Sequence, residues 1–198
     1  ILLGQSGPAL IPGSDRSEGQ GPFSRMVIRG GTLINGNGSP PIGPVDIVIE
    51  DNRITRVQSV GYPGVPIDEG RRPEKGDFEI DASGQYIMPG FVDLHAHAGS
   101  PQKAPITDYV YKLWLAHGVT TVRGVGLASL EFSLSEKNRS ESNKITAPRI
   151  WAYQRPGQGK DWRGGKVQDP QTARKWVRYA ANKGCLLYTS PSPRDMPR

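Results

Sequence analysis

A chain of 198 residues, 35% hydrophobic and 22% charged, can bury the core of one or two domains, and its 25 glycines and 18 prolines require many turns. The single cysteine excludes an internal disulfide, and no apolar run approaches the roughly 18 residues of a membrane span. The formal net charge of +6 comes largely from the stretch Arg155 to Arg178. No helix-turn-helix, zinc-finger or RNA-binding pattern accompanies that charge, so nucleic acid is not an expected partner.

Ile1-Leu2-Leu3 has the form of the end of a clipped signal peptide and equally of an arbitrary fragment boundary, which leaves localisation open. Residues 1–25, rich in Gly, Ser and Pro, read as a flexible leader. Met26-Val27-Ile28 begins the ordered chain. Val45, Ile47 and Ile49 then alternate with Asp46, Val48 and Glu50, the period-two signature of a strand, and Asp51-Asn52 forms a tight turn into a returning strand with Ile54 and Val57. Phe78 to Asp81 and Gln85 to Met88 read as one more hairpin. Short strands at this density describe a small all-β unit.

The apolar run Ile87 to Val92, broken only by Pro89-Gly90, leads straight into Asp93-Leu94-His95-Ala96-His97. Side chains alternate faces along a strand, so Asp93, His95 and His97 point the same way. Two imidazoles at a strand's end can grip one metal ion, although a bare His-x-His equally suits solvated or core histidines.

Beyond His97 the period changes to 3.6. Ile106, Val110, Leu113 and Trp114 fall on one helical face, which Gly118 terminates. Val119 to Arg123 is a β-branched strand, Glu131 to Asn143 a polar helical stretch, and Ile150 to Tyr153 a further strand. The last helix has Asp169 as N-cap, Pro170 in its first turn and Gly184 past its end, with Ala173, Trp176, Val177 and Ala180 as its buried face. Strands alternating with helices imply βα units and a parallel sheet. His117 falls at a helix C-terminus, where an imidazole is favourably placed against the dipole.

Taken together, Ile28-Arg29-Gly30-Gly31-Thr32-Leu33-Ile34, Val45 to Ile54, Ile80-Asp81-Ala82, Met88 to His97, Gly118 to Arg123 and Ala147-Pro148-Arg149-Ile150 resemble the amidohydrolase superfamily, in its imidazolonepropionase-like and dipeptidase-like branches. The specific piece is Pro89-Gly90-Phe91-Val92-Asp93-x-His95-x-His97. The resemblance implies an α/β fold, a (β/α)8 TIM barrel flanked by a small β-sandwich. On that reading residues 26–88 supply the N-terminal sandwich strands, 89–184 the first three βα units of an incomplete barrel, and the histidines sit at its C-terminal mouth.

By similarity, His95 and His97 bind a divalent metal, commonly zinc, with one or two ions in the parent enzyme. The metal activates water and polarises a carbonyl, which suits hydrolysis of the amide or cyclic-amide C–N bond of a small-molecule substrate. Asp93 is expected to support the ligands from behind rather than to ligate, and Arg123 to contact substrate. Many relatives carry an acidic residue after that arginine, where this chain has Gly124. The parent is compatible with a homo-oligomer. The family's later ligands and its general base would lie downstream. No histidine follows His117, so the chain alone is expected to be inactive and prone to aggregate. The string from Cys185 to Asp195 resembles a translated sequencing-adapter read-through, so residues 185–198 are expected to be a non-native tail; the other reading is a fourth strand with a Pro-rich end. A rival from another class is a non-catalytic β-rich interaction module with an incidental histidine pair.

Overall fold

The two periodicities build two units, one comprising Gly19–Pro89 and the other the remainder of the chain. The computed structural model describes residues 9–100, 102–124, 129–154 and 156–187.

In Gly19–Pro89, β1 (Arg25–Leu33), β2 (Ile42–Glu50), β3 (Arg53–Ser59) and β4 (Phe78–Asp81) form one sheet in the order β3-β2-β1-β4, and β5 (Tyr86–Ile87) also pairs with β1. The hairpin between β2 and β3 turns at Asp51-Asn52, where Asp51 takes a φ of 52°. β4 and β5 do not form the hairpin expected of them. Each runs parallel to β1, one after the other, with Ile28 opposite Ile80 and Leu33 opposite Ile87. The turn between them explains the arrangement: Asp81 Oδ1 accepts from the Ser83 amide at 2.9 Å and Ala82 O from the Gln85 amide at 2.9 Å. That turn advances the chain along β1 instead of reversing it, and nine-residue β1 is long enough to seat both short strands. Among the described residues this unit is a single sheet, without a facing second layer.

Both faces of β2 are covered. Val45 and Ile47 are buried as their alternation predicts, and so are Asp46 and Val48 on the opposite face. Asp46 is fully buried and heavily partnered. It accepts from the Gly30 amide at 2.8 Å, from Arg29 Nη1 at 3.0 Å and from Arg72 Nη1 at 3.3 Å. A buried carboxylate survives on such terms because each lone pair replaces a lost water.

The second unit contains β6 (Phe91–Ala96), α1 (Thr107–Ala116), β7 (Val119–Gly124), α2 (Leu130–Glu141), β8 (Arg149–Trp151), β9 (Tyr153–Gln154), α3 (Pro170–Asn182) and β10 (Leu186–Leu187). β6, β7 and β8 pair in that order, all parallel, as βα connections require. Gly90 sets the first strand beside the second: a Cβ there would fall 2.1 Å from Thr120 Oγ1. At α3, Asp169 Oδ1 accepts from the Thr172 amide at 2.8 Å and Gly184 takes a φ of 72°, the expected start and stop.

Two helix faces differ from the expected ones. On α1 the buried residues are Thr107 and Tyr111, whereas Ile106 and Leu113 are exposed. On α3, Trp176 and Ala180 are buried but Val177 is exposed, and Tyr179 packs instead against the α2–α3 cluster beside Trp162. The shift on α1 has a cause outside the helix, in the segment expected to be a flexible leader. Within that segment Leu10 is buried in one core with Ala96, Ala98, Tyr111, Val122, Ile145 and Ile150. The Ile11 amide donates to Pro105 O at 2.8 Å, Thr107 Oγ1 donates to Ile11 O at 2.6 Å, and the Arg16 amide donates to Lys144 O at 2.8 Å. The Gly13 amide donates at 2.8 Å to Glu136 Oε2, a fully buried carboxylate whose Oε1 also receives Arg139 Nη1 at 2.7 Å. Residues 9–18 are therefore a strap over α1 and α2, and Thr107 and Tyr111 turn toward it. Further on, Phe23 stacks on Phe78 in the sheet unit, with ring centroids 4.5 Å apart.

The segment expected to be a non-native tail begins inside the fold. Cys185 is buried against Leu130, Trp176 and Ala180, its amide donates to Ala180 O at 3.0 Å, and Leu186–Leu187 pair in parallel with Tyr153-Gln154. Residues 188–198 lie outside the described residues.

Candidate metal centre

Parallel strands place all their C-terminal ends along one edge, where ligands gather in α/β folds. At that edge the alternation of β6 sorts its residues. Ala96 and Ala98 turn into the core behind the sheet, and His95 and His97 turn to the open face. The two imidazoles lie with ring centroids 5.1 Å apart and planes inclined at 68°. Imidazoles bound at zinc–nitrogen distances of about 2.0–2.1 Å and a tetrahedral angle would have centroids roughly 5 Å apart. The ring separation of the pair matches that of two imidazoles sharing one ion.

Asp93 is on the same strand, but its Oδ1 accepts from the His95 amide at 2.9 Å. The carboxylate is engaged with its own backbone and steadies the turn into His95. Among the described residues, no group of three or more His, Cys, Asp or Glu side chains forms a metal-holding cluster. His117 is elsewhere: it caps α1, with Nδ1 2.8 Å from Leu113 O.

Arg123 occupies the end of β7 and pairs in register with Trp151 of β8. Its neighbour Val122 is buried in the core, so Arg123 faces the histidine side. Its Cζ lies 5.7 Å from the centroid of the Tyr153 ring, which in turn is 6.3 Å from the His95 ring. Tyr153, buried beyond the end of β8, completes a row of His97, His95, Tyr153 and Arg123. Tyr153 was not among the candidates drawn from the sequence. Its alternation was the available signal, because Ile150 and Ala152 are buried behind the sheet and Trp151 shares the face of Arg123.

Gly124 makes this row possible. It takes a φ of 130°, and a Cβ there would lie 2.5 Å from both Ala96 O and Tyr153 Cε1. Any side chain at this position would displace the tyrosine ring or the strand beside it.

No protein-family model matches the chain. Over 92 residues it is 40% identical to an adenine deaminase of Bacillus subtilis, a match that covers 43% of this chain and 16% of that protein. Over 117 residues it is 36% identical to a D-hydantoinase of Streptomyces coelicolor, covering 57% of this chain and 23% of the relative. Among solved structures, a Xaa-Pro dipeptidase with methionine bound in its active site superposes with a TM-score of 0.58 at 22% identity, over 82% of this chain and 45% of that one. The chain spans less than a quarter of the length of these two curated relatives and under half of the solved structure.

Proposed function

We propose, from the premise that this chain is an amidohydrolase-superfamily relative, that it carries the first half of the metal site of a hydrolase acting on amide or cyclic-amide C–N bonds. The observation that carries the reading is the imidazole pair of His95 and His97, 5.1 Å apart at the C-terminal edge of a parallel sheet. The substrate class is suggested by relatives named for adenine deamination, hydantoin hydrolysis and Xaa-Pro dipeptide cleavage. In the whole protein the strands β6 to β8 would belong to a (β/α)8 barrel.

His95 and His97 would hold a divalent ion, which when bound lowers the pKa of water and polarises a carbonyl. The chain's own residues prepare that site. Ala96 and Ala98, packed into the core, fix the strand so that both imidazoles leave from one side. Asp93 holds the His95 amide and with it the pitch of the strand end. Tyr153 and Arg123 bound the site on the β7 side and limit what approaches His95.

The test is hydrolysis of a panel of hydantoins, N-acyl amino acids and Xaa-Pro dipeptides by the metal-loaded whole protein. Turnover of at least one class is expected, abolished in both His95→Ala and His97→Ala. Turnover that survives both substitutions would overturn the reading, and binding of a macromolecule without turnover would favour a non-catalytic module.

A further inference from the structure

We infer that the N-terminal strap, residues 9–18, is a positioning element of the histidine pair: it fixes the strand end that carries His97, and zinc affinity depends on it. This rests on the metal-site reading above. Among the described residues β6 pairs with β7 alone, and the last rung of that ladder joins Ala96 to Gly124. His97 comes one residue later. The ladder therefore stops short of this imidazole, and contacts outside the sheet decide where it points.

The strap supplies such contacts on both sides of His97. Ala96 and Ala98 flank the histidine and turn into the core, where two methyl groups are too small to fill the space behind the strand end. Leu10 shares that core with them, and its Cδ2 would lie 3.4 Å from a Cβ on Gly99. The next strap residue holds the segment that leaves the site. The Ile11 amide donates to Pro105 O at 2.8 Å, while Ile11 O accepts from the Thr107 amide at 3.3 Å and from Thr107 Oγ1 at 2.6 Å. Ile11 thereby forms a parallel bridge with Ile106. Further along, the Gly13 amide donates to Glu136 Oε2 at 2.8 Å, and Arg139 Nη2 donates to Asp15 Oδ1 at 2.9 Å. One short segment thus ties the backbone around His97 to both α1 and α2.

A metal site is sensitive to small displacements. Zinc–nitrogen bonds are about 2.0–2.1 Å long, and a site whose support lets a ligand drift by roughly 1 Å is present but weak. Truncating Leu10 empties the space behind Ala96 and Ala98, and the His97 imidazole gains freedom relative to that of His95. His95 lies within β6, and its amide is held by Asp93 Oδ1 at 2.9 Å, so the loss falls on His97 first. His117 caps α1 at the opposite end from Thr107 and lies outside this arrangement.

The test measures zinc affinity by chelator competition, and the histidine Cε1–H resonances in ¹H–¹³C spectra without zinc, on the full chain and four folded variants. Leu10→Ala is expected to weaken zinc binding by about tenfold, to move the His97 resonance more than that of His95, and to leave His117 in place. Leu10→Met keeps the buried volume and should match the native chain in both readouts. Thr107→Val removes the hydroxyl bond to Ile11 O but keeps Leu10. It should move both readouts in the same direction by less, and it carries the test if Leu10→Ala does not fold. Trp176→Phe disturbs the separate core of Leu130, Ala180 and Cys185; it should lower stability and leave zinc affinity unchanged, which separates positioning from stability. Native zinc affinity in the folded strap variants, an unmoved His97 resonance, or an equal loss of affinity in Trp176→Phe would each overturn the inference. A native chain that binds no zinc would remove the metal-site reading. The His97 resonance in Leu10→Ala would then decide the positioning role alone, a shift keeping it and no shift removing it.

Discussion

Leu10→Ala removes the side chain that anchors the N-terminal strap. Leu10 is 9% exposed and packs among Ala96, Ala98, Tyr111, Val122, Ile145 and Ile150. Truncating a buried leucine costs about 2–5 kcal/mol, depending on how far the surroundings collapse. The strap is held independently by the hydrogen bonds of Ile11, Gly13 and Arg16, so it cannot readily move inward to fill the gap. The cost should fall near the middle of that range, about 3 kcal/mol. All four tryptophans, Trp114, Trp151, Trp162 and Trp176, lie outside Gly19–Pro89. Urea denaturation followed by tryptophan fluorescence therefore reports this unit alone. The adjacent Ile11 is 53% exposed, and Ile11→Ala should stay within about 0.5 kcal/mol of the native chain. If Leu10→Ala also changes stability by less than about 0.5 kcal/mol, residues 9–18 are not a strap and the reasoning fails.

Three further outcomes follow from the packing. Asp46→Ala strands the Gly30 amide and takes one partner each from Arg29 and Arg72, which keep Glu79 and Glu69, and should cost about 1–3 kcal/mol; faster hydrogen exchange in β1 and β2 with no change in tryptophan fluorescence would show it, and native exchange rates would refute it. Gly124→Ala forces a Cβ into Ala96 O and Tyr153 at a φ of 130°; it should cost at least about 1–3 kcal/mol, and a native fluorescence melt would contradict the geometry. Burial pushes the Cys185 thiol up to about 11. A raised thiol pKa means that the folded state resists deprotonation, so its stabilising effect is intact at pH 8 and is lost as pH climbs from about 8.5, the unperturbed thiol value, toward that raised pKa. Labelling with a disulfide reagent at pH 8 should be far slower in the native chain than in urea, and equal rates would show that Cys185 is not buried.

The features readable in the sequence are those made by neighbours in the chain. The β2–β3 hairpin follows from alternation and the Asp51-Asn52 turn, and α3 from Asp169, Pro170 and Gly184. His95 and His97 share a face because they are two positions apart on a strand, with Ala96 between them. Features made at long range were hidden. Leu10 is one apolar residue in a Gly- and Pro-rich stretch, and its partners begin at Ala96. Parallel pairing of β4 and β5 with β1 spans more than 50 residues and leaves no turn signature. Thr107 and Tyr111 are buried on α1 because the strap lies over them, a fact that helical periodicity cannot carry. Tyr153 reached the site through a glycine on the adjacent strand, so its role depends on Gly124 as much as on its own position.

The central claim is that His95 and His97 together hold one divalent ion. Competition titration of zinc against a chromogenic chelator measures it directly, in the native chain and in His95→Ala, His97→Ala and His117→Ala. One zinc per chain is expected, with affinity falling by at least about tenfold when either ligand is lost and unchanged in His117→Ala. Native zinc affinity in His95→Ala and His97→Ala, or equal loss in His117→Ala, would contradict the account.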